Sequence, residues 1–319
     1  MNSCRICNNT DGNKTYHIRE MMIGLRESFE YFECRNCGCI QISDVPAEIE
    51  KYYPKDYYSF NPNPKTSDNI IVRQIKYHRS HYQLVNRDII GFLISKASKT
   101  PVFYEYFKTA GINLQSRILD VGCGYGKLLL WMKREGFDNI LGIDPFIKET
   151  IRYPNRLTIL KNELHEIDEQ FDFIMLHHSF EHIPNQNDTL KQLNKLLKPS
   201  GHILIRIPVA AYAWKNFGVD WIALDAPRHC YLHTLKSMEI LAQESGLKIK
   251  KVFFDSFALQ FWGSIQYQND IPLMDPKSYL KNKKNSMFSK SEMQDFSKQS
   301  IRLNKDQMGD AAGFYLTKS

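Results

Sequence analysis

The run RILDVGCGYGKLLL at residues 117–130 constrains this chain more than any other stretch. Ile118, Leu119 and Val121 form a short apolar run of the kind that makes a buried parallel strand. Gly122, Cys123, Gly124, Tyr125 and Gly126 follow, and Leu128, Leu129 and Trp131 then set a helical pattern. Strand, glycine turn and helix in succession bring backbone N–H groups and a helix N-terminus to the carboxyl edge of a sheet. Adenosine-bearing ligands bind at that edge.

The glycine spacing narrows the ligand. A dinucleotide fingerprint places its third glycine three residues after the second, and here that position, 127, is Lys. Asp120 stands two residues ahead of the first glycine. A carboxylate there would repel a pyrophosphate but suits a ligand bearing a sulfonium and an ammonium group. This D-x-G-x-G-x-G pattern resembles motif I of the class I S-adenosylmethionine (SAM)-dependent methyltransferases. NILGID at residues 139–144 reads as a second parallel strand, ending in Asp144, 22 positions after Gly122. An acid at the end of the neighbouring strand can accept both ribose hydroxyls of an adenosine. Pro145 and Phe146 can then cover the adenine face. Residues 157–160 make a third strand, after which Asn162, Glu163 and Leu164 reach the adenine edge.

FDFIMLHH at residues 171–178 reads as a fourth strand, with SFEHIP at its carboxyl end. His177 and His178 would lie beside the sulfonium, against the methionine part of the ligand. Asp188 is expected to cap a helix running to 197, residues 198–201 to turn, and residues 203–207 to form a fifth strand. FDFIMLHHSFEHIP and LLKPSGHILIRIP resemble motifs IV and V–VI of the same superfamily. The resemblance runs from 118 to about 256 and implies an α/β, Rossmann-like seven-stranded sheet in the order 3-2-1-4-5-7-6, last strand antiparallel. Residues 248–254 and 313–317 then fit strands six and seven.

Cysteine placement defines a second feature. Four of the seven cysteines form two CxxC pairs, Cys4/Cys7 and Cys34/Cys37, separated by 26 residues that can hold a hairpin. Two such hooks can present four thiolates tetrahedrally to a structural Zn²⁺, with Cys39 a spare ligand. So small a segment has too little core to fold alone, and metal would supply the missing stability. The expected layout is a zinc-ribbon-like module at 1–45, a connector with N-terminal helices at 46–110, a core at 111–256 plus 310–319, and an insertion at 257–309. The connector carries Tyr52, Tyr53, Tyr57, Tyr58 and Phe60 among four prolines, and these tyrosines either close over a ligand or pack on the core. Residues 70–98 fit one long amphipathic helix with a basic face at Arg73, Lys76, Arg79 and Arg87, and 102–110 a shorter helix ending at Gly111. The insertion carries eight Lys/Arg between 277 and 305 and reads as a lid or substrate platform. A net charge of +7 permits an anionic partner without requiring one. No apolar run approaches the length of a membrane span and the N-terminus has no signal-like segment, so the expected location is cytoplasmic.

Methyl transfer from a sulfonium is an in-line displacement, and a hydroxyl acceptor benefits from a general base, for which histidine suits neutral pH. Three candidates are His229, His182 and His178. His229, in the phrase DAPRH after strand five, is the first choice, with Asp225 orienting it and Arg228 holding an acidic substrate group. His182 looks like the superfamily's motif IV histidine. The Cys₄ unit followed by this core and by DAPRH resembles the zinc-ribbon branch of the methyltransferase-23-like group. That resemblance implies a sugar or other small-molecule acceptor, for which O-methylation is the expected reaction. A nucleic-acid acceptor is disfavoured because no Asp/Asn-Pro-Pro-aromatic phrase follows strand four and no Pro-Cys nucleophile occurs. The alternatives are an RNA or protein methyltransferase docking through the zinc unit and basic surface, and a scaffold that binds SAM without catalysis.

Overall fold

Between the two cysteine hooks, alternating residues build a hairpin of β1 (Lys14–Arg19) and β2 (Ser28–Glu33), in register from Lys14 opposite Glu33 to Arg19 opposite Ser28. The buried Glu20 carboxylate closes the hairpin by accepting the N–H groups of Ile23, Gly24 and Leu25. β3 (Ile40–Ile42) adds a third strand beside β2. The computed structural model describes residues 2–53, 69–85, 88–97 and 100–319. Tyr57, Tyr58, Phe60, Arg87 and most of the proline-rich connector lie outside these.

The pattern over 70–98 is not one helix. α1 (Ile70–Val85) and α2 (Ile89–Ala97) are separate and pack on each other. Asp88 accounts for the division: its Oδ1 accepts the Gly91 N–H at 2.7 Å, an N-cap that starts a new helix. Its Oδ2 pairs with His78 Nδ1 at 2.7 Å, drawing the second helix back onto the first. α1 is tied to the core through Arg79 and Ser80, which reach the fully buried Glu135. α3 (Phe103–Ala110) ends at Gly111, left-handed at φ +66°, as expected.

The core continues through β4 (Ile118–Val121), α4 (Lys127–Arg134), β5 (Ile140–Ile143), β6 (Ile151–Arg152), β7 (Thr158–Leu160) and β8 (Phe171–His177). Then come α5 (Gln186–Leu196), β9 (Leu197–Pro208), α6 (Tyr212–Phe217), β10 (Tyr231–Leu232) and α7 (Leu235–Glu244). β11 (Leu247–Phe254), α8 (Leu259–Gln268), α9 (Lys290–Lys305) and β12 (Ala311–Lys318) complete the chain. The large sheet has the order β11-β12-β9-β8-β4-β5-β7-β6, with β12 antiparallel to both neighbours. Reading from β7 to β11 gives the expected 3-2-1-4-5-7-6, and β6 extends the edge as an antiparallel strand. The fold is the α/β, Rossmann-like methyltransferase sheet.

Two local expectations are corrected. α5 begins after Asn185, so Asp188 lies in its first turn instead of capping it. Residues 198–201 do not turn but belong to β9. The register jumps between the pairs Phe171–Leu197 and Phe173–His202, so β9 absorbs the surplus as an irregularity. Lys198 Nζ pins that stretch to both carboxylate oxygens of Asp172 at 2.9 Å.

One relationship has no forewarning in the sequence. β10 pairs antiparallel with β3, so the N-terminal sheet takes its fourth strand from the chain directly after DAPRHC. Buried Ile6, Ile18, Tyr31 and Ile40 share one continuous core with Leu176, Ile205 and Trp221. The insertion packs α8 inward, through Phe261, Trp262 and Tyr267, and lays α9 over it with Phe296 stacked on Phe261 at 5.4 Å. The basic residues of α9 are largely solvated. Among the described residues no helix is long and apolar enough to cross a membrane.

Candidate active site and metal centre

β4 delivers the chain to the sheet's carboxyl edge, where Gly122, Gly124 and Gly126 all take left-handed φ values of +73°, +57° and +80°. Two of these glycines also leave no room for a side chain. A Cβ on Gly122 would fall 2.5 Å from Ser179 Cβ, and one on Gly126 would fall 2.5 Å from Ile159 Cδ1. The loop satisfies several of its own amides: Gly122 and Cys123 donate to Ile143 O, and Gly126 to Cys123 O. The Tyr125 carbonyl accepts the Tyr153 hydroxyl at 2.7 Å. Asp144, at the end of β5, accepts Gly124 N–H on Oδ2 at 2.8 Å and Phe146 N–H on Oδ1 at 2.9 Å.

Asp120 and Asp144 are both nearly buried, 4% and 6% exposed, and bear on each other. Burial, then the Asp144 charge, pushes the Asp120 carboxyl well above the usual carboxylate range. Burial also raises Asp144, against the amides that hold it. Two carboxylates at one edge of the sheet favour a cationic ligand, as a sulfonium with an α-ammonium is. Phe146 presents a two-thirds exposed ring beside this edge. Pro145 stands between it and Asp144, and Asn162, Glu163 and Leu164 follow β7 at the same edge, with the Glu163 amide taken by Glu166.

The second half of the site adjoins the glycine turn. Ser179 Oγ donates to Val121 O at 2.7 Å, so the segment carrying His178, Glu181 and His182 abuts Gly122. A Glu181 oxygen and one ring nitrogen each from His182 and His229 lie within 4.8 Å of one another. The two rings meet edge-on, 4.7 Å between centroids. His182 Nδ1 lies 2.9 Å from Arg228 O and His229 Nδ1 lies 2.7 Å from Ala223 O, contacts that each ring makes by donating its Nδ1–H. Both Nε2 atoms are then left with lone pairs. Burial, partly offset by Asp225, takes the His229 pKa down to about 4. Glu181 is fully buried, and neither of its oxygens has a hydrogen-bond partner among the described residues. Its nearest charge-bearing neighbour, His178 Nδ1, is 3.5 Å from Oε1. Burial works to raise Glu181, but the three imidazoles more than offset it and the group titrates low. His178 takes a left-handed φ of +53° at the end of β8, a conformation concentrated at functional positions.

Three of the expected residues have specific partners in the structure. Arg228 is buried at 3% exposed and paired with Asp225, its guanidinium 5.6 Å from the centre of the Tyr53 ring. Its guanidinium is thus engaged by Asp225 within the loop. Asp225 Oδ2 lies 3.6 Å from His229 Nε2, on the far side of the ring from Ala223 O, which holds Nδ1. His177 is drawn to Arg206, whose Nη1 is 3.3 Å from its Nδ1, and to the Tyr106 ring. Glu181 and Tyr31 carried no assigned role in the sequence. Glu181 could have been suspected from a charged residue in the apolar phrase FEHIP, but nothing in the linear pattern links Tyr31 to this edge.

At the other end of the N-terminal sheet, Cys4, Cys7, Cys34 and Cys37 bring their Sγ atoms within 4.8 Å of one another. Cys4–Cys37 and Cys7–Cys34 are 3.6 and 3.5 Å apart, close to the ~3.8 Å edge of a tetrahedron with zinc–sulfur bonds of about 2.3 Å. Ile6 N–H and Gln41 Nε2 donate to Cys4 Sγ, as thiolate sites require. Cys39, the spare ligand expected, faces His233 Nδ1 at 3.8 Å and stays out of the cluster. The donor set fits Zn²⁺.

The Methyltransf_23 family, described as a methyltransferase domain, matches residues 80–252, more than half of the chain. The chain belongs to this methyltransferase family. It is a SAM-dependent methyltransferase. The ubiquinone biosynthesis O-methyltransferase of Xanthomonas euvesicatoria pv. vesicatoria is 28% identical over 170 residues, covering 48% of this methyltransferase and 71% of the relative. The enzyme of the same name from Rickettsia conorii is 25% identical over 208 residues, covering 61% and 71%. Among solved structures, a putative sarcosine dimethylglycine methyltransferase from Galdieria sulphuraria aligns with a TM-score of 0.43 at 18% identity, over 78% of this methyltransferase and 98% of that chain. A SAM-dependent methyltransferase from Archaeoglobus fulgidus gives 0.40 at 18% identity, over 79% and 100%.

Proposed function

We propose that this methyltransferase transfers the methyl group of SAM to a hydroxyl oxygen of a small molecule, with His229 as the base. Bound SAM supplies an electrophilic methyl with a neutral thioether as leaving group. The chain's own residues then do three things. Asp144 and the glycine loop hold the nucleoside, with Asp120 countering the positive end. The His178–His182 segment and the DAPRH loop wall the acceptor beside that methyl and exclude water, an alignment worth about 7–11 kcal/mol at best. His229 Nε2 takes the hydroxyl proton, and Asp225 and Glu181 stabilise the imidazolium that results.

The observation that carries this reading is the junction at Ser179. It fastens the segment carrying His178 and His182 to the glycine turn, which supports placing the acceptor beside the cofactor. The names of the relatives support an O-methyl product. A sugar or glycan-precursor acceptor remains our reading from the zinc-ribbon branch, whereas those names point to ubiquinone biosynthesis. The four-thiolate cluster would hold Zn²⁺ as a structural ion, supported by its sulfur spacing. We further propose Asp120, the loop 122–126, Asp144, Pro145, Phe146, Asn162, Glu163, Leu164 and His178 as the cofactor's contacts. Incubation with methyl-labelled SAM and a panel of nucleotide sugars and phenols tests the function. Label should enter at a hydroxyl oxygen; label at carbon or nitrogen, or on RNA or protein alone, would refute it.

A further inference from the structure

The N-terminal sheet grips the loop that carries His229 at several points. Tyr31 Oη, on β2, donates to the His229 carbonyl at 2.9 Å across 198 residues of sequence. Ile42 N–H donates to Cys230 O at 3.1 Å, and Thr234 Oγ1 to Cys37 O at 2.6 Å. The Tyr31 bond ends on His229 itself. Tyr31 is 0% exposed and His229 8% exposed, so the bond sits where water cannot replace it. His229 is thus held from two sides by separate elements. Ala223 O fixes the ring through Nδ1, and Tyr31 fixes the backbone from a strand that ends directly before Cys34 of the cysteine cluster. Loss of the phenol would leave the His229 carbonyl without that bond and let the loop relax relative to Asp225 and Glu181.

We infer that Tyr31 is a positioning residue for His229, which makes the N-terminal sheet a working part of the acceptor site. The inference rests on His229 as the proton acceptor. A satisfied core tyrosine would show the same burial, so the test must separate support of His229 from general stability.

Tyr31→Phe removes one oxygen and keeps the ring's packing. It is compared with His229→Asn and with the double variant in the full-length, zinc-supplemented protein. Tyr31→Phe should lower kcat about 5- to 20-fold while SAM affinity stays within about twofold. In the His229→Asn background the same change should cost nothing further, because both act through one group. Imidazole NMR gives a readout that needs no acceptor. The His229 resonance, assigned by its loss in His229→Asn, should move or broaden in Tyr31→Phe, while His202 on β9 stays put. The inference is overturned if Tyr31→Phe keeps its kcat, if the two losses multiply, or if SAM affinity and every histidine resonance change together. Should the parent protein methylate no hydroxyl, the functional reading fails and the resonance of His229 alone decides the role of Tyr31.

Discussion

Asp144 Oδ2 accepts the Gly124 amide at 2.8 Å, so the acid ending β5 is locked onto the turn that follows β4. The bond crosses two adjacent parallel strands and fixes the carboxylate before any ligand arrives. Its remaining lone pairs can accept ribose hydroxyls without further ordering, which lowers the entropic cost of binding. Asp144→Ala removes both functions. SAM affinity by calorimetry should fall about 10- to 100-fold, or about 1.4–2.7 kcal/mol. An unchanged affinity would remove Asp144 from the cofactor site.

Asp120 gives a pH signature. Burial and Asp144 raise its pKa, so part of the population is protonated at pH values where an ordinary carboxylate is fully ionised. A cationic ligand prefers the ionised form. SAM binding should therefore tighten as pH rises through the raised pKa and weaken below it. S-adenosylhomocysteine lacks the sulfonium charge and should show a shallower slope. Asp120→Asn should flatten the SAM profile, as measured by calorimetry at several pH values.

The base is legible in kinetics. With its pKa lowered to about 4, His229 is already unprotonated at neutral pH. At saturating SAM, kcat should show no half-loss near the ordinary imidazole value of about 6.5, and should fall only as pH drops toward 4. His229→Asn should lower kcat about 10²- to 10⁴-fold with SAM affinity intact. A kcat that survives in His229→Asn and is lost in His178→Asn would move the base to His178.

Much of this was written in the sequence, for reasons of spacing. Gly122, Gly124, Gly126 and Asp144 lie within one strand–turn–helix–strand unit, where local geometry dictates what meets what. The cysteine pairs are likewise local hooks. Contacts made across long sequence separations were not legible. β10 reads as two residues of loop, and only its pairing with Gln41 and Ile40 makes it a strand. Arg228 reads as a free anion binder, but its engagement by Asp225 depends on a left-handed Asp225 at φ +43° that composition does not reveal. The helix break at Asp88 is not legible because a capping carboxylate and a solvated one look alike in a chain pattern.

The thiolate cluster predicts metal content. Purified protein should carry about one zinc per chain, and Cys37→Ser should carry far less. Because Cys37 O also accepts from Thr234 at the start of α7, metal loss should loosen the join to the core. A melting temperature lower by about 5–10 °C is expected from a loss of a few kcal/mol in a chain of this size. Zinc well below one equivalent in the parent protein, after zinc supplementation, would contradict the site.

The most direct test of the whole account is a structure of the protein grown with S-adenosylhomocysteine. The ribose should sit on Asp144 and the adenine against Phe146, with the sulfur facing the edge shared by His178 and His229. A nucleoside lodged elsewhere, or a sulfur turned away from the imidazoles, would contradict it.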